Sequence, residues 1–200
     1  MNALQSPVLA FCERISRISV WIGGLMIVMT AGLITVEILL RKVAGMSTGG
    51  ADELSGYGLA IGSSWSMGFA LLRRAHVRVD ALYGRFSGAP RAWLDCLAIL
   101  SMTGFALVLT WFCAGVLRES ITLSARSTTT LSIALWIPQG LWITGFIIFS
   151  GLGLILSFHA VLALIRGDHA GVRDLVGSRT ANEELAEELD RPTTAGGGQC

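Results

Sequence analysis

Glu37 is the ionisable side chain best placed to do chemistry, because it lies inside an otherwise apolar run from Val20 to Leu40. A carboxylate within a membrane can relay protons or bind a cation, and its burial is energetically costly. However, Glu37 lies only three residues before Leu40, roughly 4–5 Å from the end of a helix. Arg41 follows one turn later, in the order that favours an ion pair. The spacing favours a structural ion pair near the membrane surface over a contact to a partner or an ion.

His159 is the one histidine inside a long apolar stretch. A haem-anchoring subunit needs two axial ligands at matching depth, so a single histidine near a helix end indicates an interfacial side chain instead. The four cysteines, Cys12, Cys96, Cys113 and Cys200, show no CxxC or zinc-type spacing. The sequence contains no phosphate-binding loop, dinucleotide fingerprint, zincin motif or nucleophile elbow. We therefore expect no catalytic residue, no metal, no cofactor and no nucleic-acid partner.

Four long apolar stretches must position these side chains. The chain is 52% hydrophobic and 14% charged, against about 25% charged residues in soluble domains, and a membrane span needs roughly 20 apolar residues. The sequence predicts an all-α integral membrane protein with transmembrane helices at about 20–40, 53–72, 93–117 and 138–165. Residues 1–19 precede this membrane domain of residues 20–166, and Pro138 divides a short interfacial segment, 131–136, from the fourth helix. Residues 167–200 form an acidic tail, which we expect to be disordered with at most a short helix at 181–189.

Charge in the loops predicts the orientation. The central loop, from Arg73 to Arg91, contains five arginines and a single acidic residue, Asp80, whereas the loop from Arg41 to Glu53 is balanced. Because basic loops stay in the cytoplasm, the central loop should be cytoplasmic, and with four spans both termini should be cytoplasmic too. Within the central loop, Val79, Leu82, Tyr83 and Phe86 recur at helical spacing. This pattern fits an amphipathic helix in the headgroup layer, and an ordinary basic loop is the alternative.

Small residues recur every fourth position in the second predicted helix, at Gly58, Gly62, Ser66 and Ala70. Such a stripe lets two helices approach closely in lipid, either within the chain or between subunits. Asp52 and Glu53 begin the same helix. There they either complement the helix dipole or contact a neighbouring subunit.

Four motifs carry a resemblance to a known family over about residues 15–165. They are Glu37-x-x-x-Arg41, Glu53-Leu54, the run Arg73-Arg74-Ala75-His76-Val77-Arg78-Val79-Asp80, and Trp136-Ile137-Pro138. Together they resemble the small membrane subunit of tripartite ATP-independent periplasmic (TRAP) transporters, the DctQ or SiaQ type. The sequence departs from the family pattern at Ala75, where glycine is common, and in lacking a second proline in the fourth helix.

The resemblance implies a non-catalytic subunit that pairs with a large, many-spanning membrane subunit carrying the substrate and sodium sites. A periplasmic binding protein, in indirect or transient contact, would deliver an organic acid, and membrane lipids would surround the complex. The residues expected at the subunit interface or in structural roles are Glu37, Arg41, Glu53, Gly58, Gly62, Ser66, Arg73, Arg74, His76 and Asp80. Three alternatives remain: a homodimeric proton-coupled exporter using Glu37, a redox-complex anchor using His159, and an unassigned scaffold or assembly protein.

Overall fold

A computed structural model describes residues 7–74 and 89–177, with side chains described from residue 10 onwards. These residues form five helices: α1 (Pro7–Val43), α2 (Ala51–Leu72), α3 (Ala89–Thr122), α4 (Trp136–Ile165) and α5 (His169–Val176). Within the described ranges, extended pairing is limited to an isolated bridge between Arg126 and Ala134. The predicted all-helical class is confirmed for this part of the chain, and each predicted span lies within one of the first four helices.

Three of the helices are long and apolar enough to cross a membrane, namely α1 from Ala10 onwards, α3 and α4. Their outer faces expose large apolar side chains such as Trp21 and Trp111, a surface that suits lipid better than water. The shorter α2 is not among the three. Its interior is interleaved with glycine and serine, which lower its mean hydropathy and allow close helix packing.

The helices pack in the order α1, α2, α4, α3. Helix α2 lies against α1 on one side and α4 on the other, and α3 packs against α4. The α2–α4 contact is parallel, since Trp65 Nε1 donates to the carbonyl of Leu141 at 2.8 Å while Gly68, further along α2, meets Leu152, further along α4. Short loops between antiparallel neighbours therefore place residues 44–50 and 123–135 at one end of the helices, here called the loop end.

Pro138 lies in the first turn of α4, where it is buried. Its missing N–H leaves no helical hydrogen bond unmade at this position. The preceding residues form turns instead of helix, with Ser132 in the left-handed region (φ 44°). The loop before Pro138 thus folds back on itself, as shown by the hydrogen bond from the Leu135 N–H to the Ala125 carbonyl at 3.0 Å.

Helix α5 differs from the disorder expected for the start of the acidic tail. Asp168 caps it, accepting a hydrogen bond from the Gly171 N–H at 2.9 Å. Val172, Leu175 and Val176 are buried, and the helix packs against α3 and α4. This i, i+3, i+4 apolar pattern is short and precedes a strongly acidic stretch, so composition averaged over the tail conceals it. The proposed central-loop helix at 79–86 and residues 178–200 lie outside the described residues.

Candidate functional site at the loop end of the helices

Glu37 is buried near the end of α1, with only 6% of its surface exposed. Its carboxylate accepts four hydrogen bonds: from Ser47 Oγ at 2.6 Å, Thr48 Oγ1 at 2.6 Å, the Thr48 N–H at 3.1 Å and Arg41 Nη2 at 3.2 Å. The Arg41 side chain is 63% exposed. The predicted ion pair is therefore present, but most of the carboxylate's contacts come from the following loop.

Glycines make this loop geometry possible. Gly45 (φ 64°) and Gly49 (φ 69°) adopt the left-handed backbone that other residues rarely tolerate. Gly45 follows the end of α1 at Val43, and the next N–H, of Met46, donates back to the Leu40 carbonyl at 3.4 Å. The chain then reverses over the end of α1, so that Thr48 reaches the Glu37 carboxylate.

Glu53 occupies the first turn of α2 and is half-buried. It accepts hydrogen bonds from the Tyr57 hydroxyl at 2.5 Å and from the Thr129 hydroxyl in the loop between α3 and α4. Ser127 Oγ lies 3.0 Å from Thr129 Oγ1 and extends this network. Negative charge in a first helical turn is favourable. Here the same carboxylate also bonds the loop between α3 and α4 to α2.

The two glutamates therefore act as hydrogen-bond acceptors for loops of their own chain. Within the described residues, no group of three or more His, Cys, Asp or Glu side chains could hold a metal ion. Carboxylates with these hydrogen bonds hold loops in position. Proton transfer would instead require a carboxylate that can exchange its hydrogen-bond partners.

Three small residues of the α2 stripe, Gly58, Gly62 and Ser66, lie against α1. A Cβ placed on Gly62 would lie 2.8 Å from both the Gly23 carbonyl oxygen and Ile27 Cγ1, and one on Gly23 would lie 2.6 Å from the Gly62 carbonyl oxygen. Gly58 meets Thr30, and Ser66 Oγ donates to the Gly62 carbonyl at 2.8 Å. The sequence left open whether this stripe packs within the chain or between subunits. In the structure it packs against α1 of the same chain.

Two of the remaining predicted residues, Arg73 and Arg74, lie at the opposite end. Arg73 ends α2 with its guanidinium 5.3 Å from the centre of the Phe69 ring. Arg74 Nη1 donates to the Arg173 carbonyl at 3.4 Å, joining the end of α2 to α5. His76 and Asp80 lie outside the described residues. His159 is half-buried, with Nδ1 2.8 Å from the Ile155 carbonyl oxygen.

Sequence reasoning missed several polar residues. Asp95 in α3 is completely buried. Like Glu37, it is a carboxylate within an apolar run, and this pattern could have predicted its burial. Two hydroxyl pairs join α3 to α4, Thr103 with Ser157 and Thr110 with Ser150, each at 2.9 Å. On each helix the two positions are seven residues apart, so all four lie along one seam.

Residues 30–170, well over half of the chain, match the family model described as tripartite ATP-independent periplasmic transporters, DctQ component. The chain belongs to the DctQ family. The resemblance inferred from the sequence motifs is thus confirmed. No curated protein and no solved structure matches the chain.

Membership of the DctQ family identifies the chain as the small membrane component of a TRAP transporter. The DctQ family works with a large membrane subunit and a substrate-binding protein in the tripartite system. Together with the three long apolar helices, this makes the chain a membrane protein.

Proposed function

We propose that this DctQ-family chain is a non-catalytic scaffold for the large transport subunit of a sodium-coupled organic-acid importer in a bacterial inner membrane. The observation that carries the proposal is the state of Glu37, the single acidic residue of the 20–40 run. Its carboxylate is buried at a helix end and accepts four hydrogen bonds from its own chain. Such a group fixes structure and leaves transport chemistry to a partner.

The proposal includes α2 as a fourth span. Its 22 residues give a length of roughly 33 Å, enough for a hydrocarbon core of about 30 Å. It also lies between α1 and α4, so that its glycines and serines face helices as well as lipid. The arginine-rich loop from residue 73 to 91 then lies in the cytoplasm with both termini, and the loop end faces the periplasm.

Two of the three alternatives, the proton-coupled exporter and the redox-complex anchor, have less support. A proton-coupled exporter would need Glu37 to exchange protons during transport, yet three of its four hydrogen bonds come from residues 47 and 48 of the adjoining loop. A haem anchor would need two axial ligands at one depth. His159 is the single histidine in the predicted spans, and the chain's other histidines are His76, in the central loop, and His169, in α5.

Co-purification from native membranes tests the assembly. We expect the full-length tagged chain, extracted in a mild detergent, to recover a many-spanning TRAP subunit in equal amount, identified by mass spectrometry. Recovery of the chain alone as a defined homo-oligomer would contradict the proposal.

Reconstitution tests the division of labour. In proteoliposomes supplied with the binding protein and an inward sodium gradient, we expect uptake of an organic acid when both membrane subunits are present. We expect none from this chain alone or after collapse of the gradient. Uptake by this chain without the large subunit would assign transport to it and reject the scaffold role.

A further inference from the structure

A cleft of about 400 Å³ opens between the last turn of α3 and the first turn of α4. It is lined by Ile121, Ser124, Arg126, Ala134 and Trp136. The loop beside it is well held, because Arg126 pairs with Ala134 in the isolated bridge and the Ser127 N–H donates to the Ile133 carbonyl at 2.9 Å. The cleft is therefore a fixed feature of the loop.

The lining combines one cation with exposed apolar side chains. Arg126 is exposed, and one hydrogen bond of its guanidinium runs from Nη1 to the Ser132 carbonyl at 3.3 Å. A guanidinium carries five donors in a planar fork that matches phosphate oxygens. Trp136 is 50% exposed and Ile121 is 55% exposed, and none of the five lining residues is acidic. This combination suits a ligand with a phosphate joined to an apolar body.

The depth of the cleft identifies the source of such a ligand. Ile121 lies four residues beyond Leu117, the end of the predicted third span, a rise of roughly 6 Å. Trp136 lies two residues before Pro138, the start of the predicted fourth span, a rise of roughly 3 Å. The headgroup layer occupies about 5–8 Å on each side of the hydrocarbon core, and tryptophan is enriched there. The cleft thus lies among phospholipid headgroups, whichever way the chain faces.

We propose that this cleft binds an anionic phospholipid. Arg126 binds the headgroup phosphate, and the Trp136 indole and Ile121 contact the glycerol and the first acyl carbons. The net negative charge of the lipid balances the single cation of the cleft, so an anionic lipid is preferred over a zwitterionic one. This role holds independently of the proposed transport function, because it depends on this chain and the membrane alone.

Native mass spectrometry of the full-length chain, titrated with phosphatidylglycerol or phosphatidylcholine, tests the site. We expect phosphatidylglycerol to bind more tightly, and Arg126→Gln to weaken that binding by about tenfold, as expected for loss of a charged hydrogen bond. Lys42→Gln is the matched control, since Lys42 is an exposed cation at the same end and outside the cleft. Trp136→Ala should weaken the binding of both lipids.

Three results would overturn the proposal. Equal losses in Arg126→Gln and Lys42→Gln would indicate diffuse charge attraction instead of a site. Full competition by inorganic phosphate would assign the cleft to a free anion. Displacement of the lipid by the large subunit, in the purified complex, would make the cleft a protein interface.

Discussion

The carboxylate of Glu53 accepts a hydrogen bond from the hydroxyl of Thr129, which joins the first turn of α2 to the loop between α3 and α4. The α1–α2 loop contacts the same region, since Thr130 Oγ1 donates to the Gly49 carbonyl at 3.3 Å. Glu37 holds the α1–α2 loop in turn through Thr48. Two carboxylates, together with the contact between Thr130 and Gly49, thus connect the α1–α2 loop and the first turn of α2 to the loop before α4.

Glu37→Gln should destabilise the protein more than Arg41→Gln does. The amide keeps one acceptor oxygen and places an NH2 group where the other oxygen stood, facing either Ser47 and Arg41 or the N–H and hydroxyl of Thr48. The hydroxyls can turn to accept, but the Arg41 guanidinium and the Thr48 N–H cannot, and unmatched buried donors are costly. Arg41 is mostly exposed, and exposed ion pairs contribute little. Thermal unfolding in detergent, followed by tryptophan fluorescence, should show a fall of several degrees in Tm for Glu37→Gln and a smaller change for Arg41→Gln.

The same variants test the interface role of the pair. Both should weaken co-purification with the large subunit while leaving the binding protein's affinity for its substrate unchanged. Lys42→Gln is the control for the loss of a charge near Arg41. Unchanged assembly in both variants would remove Glu37 and Arg41 from the proposed interface.

Alanine substitution at two adjacent glycines of α1 should change the stability of the protein differently. A Cβ at Gly23 would meet the Gly62 carbonyl oxygen at 2.6 Å, whereas nothing lies within 4 Å of a Cβ at Gly24. Overpacking of this kind costs about 1–3 kcal/mol, so Gly23→Ala should lower the free energy of unfolding by that amount. Gly24→Ala should be neutral or stabilise the helix by up to about 1 kcal/mol. Denaturant titration of both variants measures the difference, and equal effects would show that α1 and α2 are not in close contact here.

The sequence predicted the long helices because their signals are local. An apolar run long enough to cross a membrane predicts a helix without reference to the rest of the chain. Glu37 and Arg41 are four residues apart on one such helix, so their ion pair is also a local signal. The small-residue spacing at Gly58 and Gly62 likewise predicted a close approach. It could not say that the partner was Gly23 and its neighbours in α1, because the partner is set by how the helices pack.

The loop contacts could not be predicted from the sequence. Glu53 and Thr129 are 76 residues apart, and serines and threonines are common in loops, so nothing in the sequence singles out Thr129. Asp95 was available to the reasoning used for Glu37 but was overlooked. Helix α5 was not predicted because its three buried apolar residues are outnumbered by the polar and acidic residues of the tail that follows.

The hydroxyl pairs between α3 and α4 should each contribute modestly. Hydrogen bonds between helices in lipid average about 0.6 kcal/mol. A double-mutant cycle with Thr103→Val and Ser157→Ala should therefore give a coupling free energy of about that size, and a cycle at Thr110 and Ser150 should give a similar value. A pair that mixes the two contacts, Thr103 with Ser150, is the control and should show no coupling. A similar coupling for the mixed pair would mean that the variants change α3–α4 packing generally.

Cysteine labelling should show that the loop end lies in the periplasm. Thr128 and Asp174 are both exposed, at opposite ends of the helices. In a Cys200→Ser background, we expect Thr128→Cys to react with a membrane-impermeant maleimide in cells whose outer membrane has been made permeable. Asp174→Cys should react only after the inner membrane is also opened. The reverse pattern would invert the topology. Reaction at both positions in cells with an intact inner membrane would mean that α4, the one long helix between them, does not cross the membrane.

Leu175→Ala should release α5 without unfolding the long helices. Leu175 is buried, and α5 has only eight residues, so it cannot persist as an isolated helix once its packing is lost. We expect faster hydrogen exchange of the α5 amides, with exchange in α3 and α4 unchanged. Asp174→Ala, at the neighbouring exposed position, should leave α5 protected. Exchange that accelerates equally in α3 and α4 would show instead that α5 is an integral part of the core, because its loss would then loosen the helices on which it packs.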